Sequence, residues 1–196
     1  MKRIFVLIAI VAISTLNAQE VATDSLPYAT IPEAPQTYTA GTVVSRMIDG
    51  LGFRYHWATE GLTEQAIHYA PDNEGRTIAE TMDHVYNLSL VILKSAQRQP
   101  RDFTVDLPEL TLEGKRKATL EQLRMASMLF SKAKRLEDFP VVFVRENGRS
   151  EFPFWNNING PIEDAVWHAG QIVTLRRIAG NPINPKVNVF QGKLND

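Results

Sequence analysis

Asn159 to Pro182 reads NGPIEDAVWHAGQIVTLRRIAGNP, and both ends of a helix are written into it. Pro161 suits the first helical position, where its missing N–H costs nothing. Glu163 and Asp164 place negative charge in the first turn, and Arg176 and Arg177 place positive charge in the last, so both ends oppose the helix dipole. Gly180 can adopt the left-handed cap conformation and Pro182 stops continuation. Between them Ile162, Ala165, Ala169, Ile172, Val173 and Ala179 make one broad apolar face. Asp164 and His168 stand four apart at its edge, so their side chains are stacked neighbours. A carboxylate and an imidazole at that spacing can grip one divalent cation.

A third ligand is found by working outward. Thr77 and Glu80 form a capping box that opens an earlier helix, with Ile78, Val85, Ser89, Ile92 and Ala96 as its inner arc, helped by Met82 and Leu88. This helix ends before Pro100. His84 lies on the margin of the arc, as His168 does on the last helix. Glu80 precedes His84 by four, but its role in the cap leaves it at most a spare ligand.

Two more helices complete the set. One spans about Thr42 to Thr59, where Val44, Ile48, Leu51, Tyr55 and Ala58 make a buried stripe. Gly50 and Gly52 interrupt it at roughly 1 kcal/mol each relative to alanine, and are expected to admit a close helix contact. His56 projects off the stripe and reads as a surface or internally satisfied histidine. His68, in the connector Leu62 to Glu74, has no evident ligand partner. The other helix spans about Leu112 to Leu136, with Leu120, Leu123, Met125, Leu129 and Phe130 inward and Lys115, Arg116, Lys117, Lys132, Lys134 and Arg135 solvated.

Val141 to Trp155 changes period and reads as a β-hairpin turning at Asn147-Gly148, with Pro153 confining its second strand to an edge. It runs through Phe154, Trp155 and Asn156 into the last helix, which makes the two aromatics candidate walls of a pocket. The class expected is all-α: a four-helix bundle over residues 41–182 with a small β-hairpin insertion before the last helix. Residues 19–40, with Pro27, Pro32 and Pro35, are expected to be a flexible lead-in outside the core. Residues 183–196 form a tail whose VNVF segment packs on the outside.

The chain has 196 residues, 44% of them hydrophobic, enough for one globular domain with a real core. Residues 1–18 have the layout of a secretory signal peptide: Lys2 and Arg3, the apolar run Phe5 to Ile13, then Thr15 to Ala18 ending in a small residue. Export to the periplasm or medium is therefore expected, with no stable membrane insertion after cleavage. With no cysteine, disulfides and thiol nucleophiles are excluded. The formal charge of −1 and the lack of a dense basic patch argue against a nucleic-acid partner.

With four helices, a histidine midway along the second, and D-A-V-W-H-A-G-Q from Asp164 to Gln171 on the fourth, the chain resembles the DinB/YfiT-like superfamily of four-helix metal-dependent proteins. The resemblance covers about Thr42 to Gly180. It implies three ligands, one on the second helix and two spaced by four on the fourth, followed by Gly-Gln. His84 matches the first and His168 the last. Asp164 stands where the family usually has histidine. Some relatives transfer low-molecular-weight thiols.

The chemistry also follows from the residues. Two imidazoles and a carboxylate (His84, His168, Asp164) leave open positions on a divalent metal; zinc held so keeps a water and lowers its pKa to about 7. Zinc is the leading candidate, and nickel, iron or manganese suit the same set. Gln171, one turn beyond His168, is placed to orient water or a ligand. Three functions follow: a metal-dependent hydrolase acting on a small-molecule substrate with metal-activated water, a thiol-dependent transferase as the resemblance implies, or a non-catalytic module binding a metal or small ligand. Each is compatible with a homodimer.

Overall fold

The computed structural model describes residues 25–71 and 75–196. The signal sequence expected over residues 1–18 lies outside them. The elements in chain order are helices α1 (Ala40–Thr59), α2 (Glu64–Ile67) and α3 (Ile78–Ala96), strand β1 (Arg101–Asp102), and helix α4 (Leu112–Phe130). They continue with strands β2 (Val141–Arg145) and β3 (Gly148–Phe152), the single turn α5 (Trp155–Asn157), helix α6 (Glu163–Ile178), and strands β4 (Val187–Asn188) and β5 (Lys193–Leu194). A 3-10 turn over Leu136–Asp138 leads into the sheet, and a π-helical turn over Ile158–Ile162 joins α5 to α6.

The four long helices close a ring: α1 packs on α4, α4 on α3, α3 on α6, and α6 back on α1. Three of them start at a threonine cap, and α6, which has no side-chain cap, instead continues from the π-helical turn. Thr39 and Thr42 form a reciprocal cap on α1, Thr77 and Glu80 do so on α3, and Thr111 accepts from the Gly114 N–H on α4. Inside the ring Ile48, Leu51, Tyr55, Ile78, Val85, Ile92, Leu120, Leu123, Phe130, Ala165 and Ile172 are fully buried. These are largely the positions that the helical stripes single out. α4 is shorter than expected, ending at Phe130, and Met125 and Leu129 are exposed on its outer side.

An all-α description is too narrow, because the molecule is mainly helical with a small mixed sheet. The strand order is β1-β2-β3, with β2 and β3 antiparallel and β1 and β2 parallel. Parallel neighbours need a long crossover, and α4 supplies it. A two-residue strand inside a loop has no periodicity to read, so β1 leaves no mark in the sequence. The hairpin turns one residue earlier than expected, at Glu146-Asn147. Gly148 already pairs with Arg145, with φ +126°.

The lead-in is not loose where it is described. Tyr28 joins the core, donating its hydroxyl to Asp49 Oδ1 at 3.0 Å. Gly52 exists for this contact rather than for a helix crossing, since a Cβ there would fall 2.4 Å from the Tyr28 ring. The lead-in also buries His56, whose Nδ1 meets the Pro27 carbonyl at 2.8 Å, and takes the Trp57 indole N–H on the Ala29 carbonyl. Burial pushes both the Tyr28 phenol and the Asp49 carboxyl above their ordinary values. Ile31 donates its N–H to the Gly192 carbonyl, so the described part of the lead-in meets the C-terminal tail.

Arg176 departs furthest from expectation. It is 1% exposed rather than a solvated dipole partner. Its guanidinium donates to the carbonyls of Ala58 and Glu60 at 2.9 Å, to those of Trp57 and Gly61 at 3.3 Å, and through Nε to Asn181 at 2.6 Å. Three of these acceptors, on Trp57, Ala58 and Glu60, are orphan carbonyls at the end of α1, so one side chain of α6 caps another helix. Arg116 is likewise not free: it donates to Thr59 Oγ1 at 2.9 Å and pairs with Glu60. His68 does have a partner, Glu64 on α2 at 3.0 Å.

Arg176→Met should cost roughly 2–4 kcal/mol in urea denaturation, because it strands several buried carbonyls. The second expectation concerns pH. Burial holds the His56 imidazole below its ordinary 6.5, against the opposing pull of the Pro27 carbonyl. The unfolded chain therefore protonates there first, and this contribution is complete above 6.5 and drains as pH falls toward the folded-state value. His56→Gln should flatten that limb of the stability curve between about pH 8 and 5, and an unchanged slope would assign it to other groups.

Candidate metal centre

His84 projects from the second turn of α3, on the side facing α6. Asp164 and His168 project from the first two turns of α6, one above the other, back toward α3. Small residues make the approach easy: Ala165 and Ala169 line the buried face of α6 and bring its backbone close to its neighbours. The ring Nε2 of His84 lies 3.1 Å from Asp164 Oδ2, and that of His168 lies 3.2 Å from Asp164 Oδ1. The imidazoles meet edge to face, with centroids 4.7 Å apart and planes at 89°. One donor atom from each residue can be chosen so that all three lie within 4.8 Å of one another. All three sequence-derived ligands are thus brought together. Glu80 is not among them, since its carboxylate closes the α3 cap on the Thr77 N–H and hydroxyl.

The donor set suits a borderline divalent metal. Ligands sharing one zinc at about 2.0–2.2 Å sit roughly 3.3 Å apart in a tetrahedron, close to the two imidazole–carboxylate distances. Gln171 supports the same reading. Its Oε1 lies 2.7 Å from His168 Nδ1, and with the amide oxygen toward the ring, Nδ1–H is the donor. A neutral His168 then carries its lone pair on Nε2, facing a carboxylate oxygen. Two lone-pair atoms 3.2 Å apart repel unless a proton or a cation lies between them. Metal-binding histidines characteristically donate their other N–H to an oxygen in this way.

The triad borders a cleft of about 460 Å³. His84 and Asp164 form one end. Leu88 and Val91 of α3 make one wall, the Gly160–Pro161 kink another, and Phe103, Val141, Phe143 and Phe152 of the sheet the third. Asn87 and Asn156 bring side-chain amides to the lining. The His84 and Asp164 side chains remain 31% and 39% accessible, so a group in the cleft can reach them. Gly160, with φ −94° and ψ −107°, breaks the helix entering α6 and turns the first turn of α6, with Asp164, toward the cleft.

Neither aromatic of the run expected to wall a pocket does so, although the next residue, Asn156, lines the cleft. Phe154 is buried against Phe130, and Trp155 is 73% exposed. The actual aromatic wall comes from the sheet. Phe143 and Phe152 belong to the hairpin that the sequence predicts, whereas Phe103 follows a strand that carries no sequence signal.

Gln171→Leu should leave the helical fold intact and alter the tautomer of His168. Nitrogen-15 spectra of metal-free protein should show Nδ1 protonated in the parent and a shift toward Nε2 protonation in the variant; identical spectra would remove Gln171 from this role. Comparison of the chain with family models, with curated proteins and with solved structures finds no match, so the triad and its cleft are interpreted from their own chemistry.

Proposed function

We propose that this is an exported DinB-like four-helix protein that holds one divalent metal on His84, Asp164 and His168 and acts as a metal-dependent hydrolase on small molecules. The observation that supports it is the convergence of two imidazoles and one carboxylate, of which His84 and Asp164 line an apolar cleft where a ligand can touch them. A metal that merely fixes a fold is usually closed off by four protein ligands. Three ligands with partial exposure leave positions free, and the cleft beside them has the size and lining of a small-molecule site.

When bound, the metal would supply Lewis acidity and a water acidified into the neutral range. The chain's own residues would do the rest. His84 and His168 would donate nitrogen lone pairs, and Asp164 would add a negative charge that lowers the net charge of the centre. Gln171 would hold the His168 ring through Nδ1–H. Leu88, Val91 and the sheet phenylalanines would exclude bulk water from one side of the reacting group, and the Asn87 and Asn156 amides are placed to orient a carbonyl or ester by hydrogen bonds. Zinc is the best match to this donor set, with nickel, iron and manganese compatible. Thiol-dependent transfer is the second reading; the cleft accommodates it, but a cytosolic thiol would not obviously be at hand after export.

Elemental analysis of protein purified without added metal is the test. About one equivalent of metal is expected in the parent. His84→Ala and His168→Ala should each abolish its retention with the helical circular dichroism kept, and Asp164→Asn should weaken metal more than folding. Gln171→Leu should cost about 10–100-fold in metal affinity. Retention of metal by both histidine variants would displace the site. Metal-dependent turnover on a panel of esters, amides and phosphate esters supports hydrolysis, while activity only with an added small thiol supports transfer.

A further inference from the structure

Two arginines stand against the aromatic wall of the cleft, and the triad does not use them. Side chains two apart on a strand share a face, so Arg145 lies on the same face of β2 as the cleft-lining Val141 and Phe143. Arg101 is the register partner of Phe143 on β1, and it too shares that face. The aromatic wall therefore continues into two guanidinium groups. The Arg145 guanidinium carbon lies 4.8 Å from the Phe103 ring centre and 4.9 Å from that of Phe143, and the Arg101 carbon lies 4.4 Å from that of Phe103. Both cations thus sit over rings that line the cleft.

Neither cation has an acid. Among the described residues no carboxylate comes within ion-pair distance of Arg101 or Arg145, whereas Arg98, Lys115, Arg116, Arg124, Arg135 and Arg149 each have one. The neighbouring Asp102 carboxylate is turned away onto the Thr104 N–H and hydroxyl. Arg101 is only 7% exposed, and its buried Nε–H has no hydrogen-bond partner. Burying a charge that far without a counter-ion is costly. An arginine fork offers paired N–H donors matched to a carboxylate or phosphate.

We propose that the cleft takes an amphiphilic anion: an apolar, flat-bodied acid whose body lies on Phe103, Phe143 and Phe152, whose carboxylate is held by Arg145 with Arg101 behind it, and whose other end reaches His84 and Asp164. The proposal rests on the reading of this cleft as the small-molecule site and adds the class of molecule. Cations stand behind the phenylalanine wall while His84 and Asp164 line the helical side, so an anion has one favourable orientation.

Phenylbutyrate and its uncharged amide are the probes, titrated by calorimetry or NMR into metal-free and zinc-loaded protein. The acid should bind at least about tenfold more tightly than the amide in the metal-free state, the size expected for one charge-assisted contact. Arg145→Gln, an exposed position whose loss should not unfold the chain, should erase that preference, and Arg145→Lys should restore part of it. Shifts on acid binding should map to Phe103, Phe143 and Phe152. Equal binding of acid and amide, or a preference untouched by Arg145→Gln, overturns the proposal. A preference seen only with zinc also overturns it, because the anion would then be on the metal. Failure of the parent to retain zinc, with the metal-free preference intact, would defeat the metal reading and leave this one standing.

Discussion

The hydrogen bonds from Arg176 to the end of α1 set the register on which the candidate site depends. A helix end leaves carbonyls without partners, and in the interior those carbonyls must be met by something. Here they are met by a side chain of α6, which also holds its own downstream backbone at Asn181. α6 therefore cannot slide along α1 without stranding both a buried guanidinium and its acceptors. Asp164 lies twelve residues earlier on the same helix, about 18 Å away along its axis. Pinning one end of a stiff rod in this way fixes the height of the other, and with it the level at which Asp164 and His168 face α3.

At that other end the constraint is steric. The alanines Ala165 and Ala169 let α6 approach closely, and the break at Gly160 changes the direction of the chain just before Asp164. His84 is carried to the same level by α3, whose start is fixed by the Thr77–Glu80 cap. The three candidate side chains from two helices thus converge because each helix is positioned independently of them. This is the usual way in which bundles build metal sites from inward-facing side chains.

The sheet gives the site its shape. Parallel pairing of β1 with β2 places Phe103 beside Phe143, 5.7 Å between ring centres, and both stand over the cleft. It also aligns Arg101 and Arg145 on those rings. The cleft therefore has His84 and Asp164 on its helical side and an aromatic wall, backed by two arginines, on its sheet side.

Much of this was legible in the residues themselves. The caps at Thr77 and Gly180, the buried stripes of α1 and α3, the hairpin, and the pairing of Asp164 with His168 are all local matters. They depend on spacings of three or four along one helix, on φ preferences, and on which side chain can satisfy a nearby N–H. The match of His84 to His168 was inferable from their similar positions on two arcs. What only the tertiary structure decided involves partners far apart in the chain. Arg176 carries the same charge at a helix end whether it faces water or caps α1, 115 to 119 residues away. His56 looks solvated until Tyr28 and Pro27 fold over it, and Phe103 has no signal of its own until β1 finds β2. Periodicity encodes which face of a helix is apolar, but it does not encode which distant segment covers the remaining faces. That is settled by the competition of whole elements for the same buried surface and the same unpaired backbone groups.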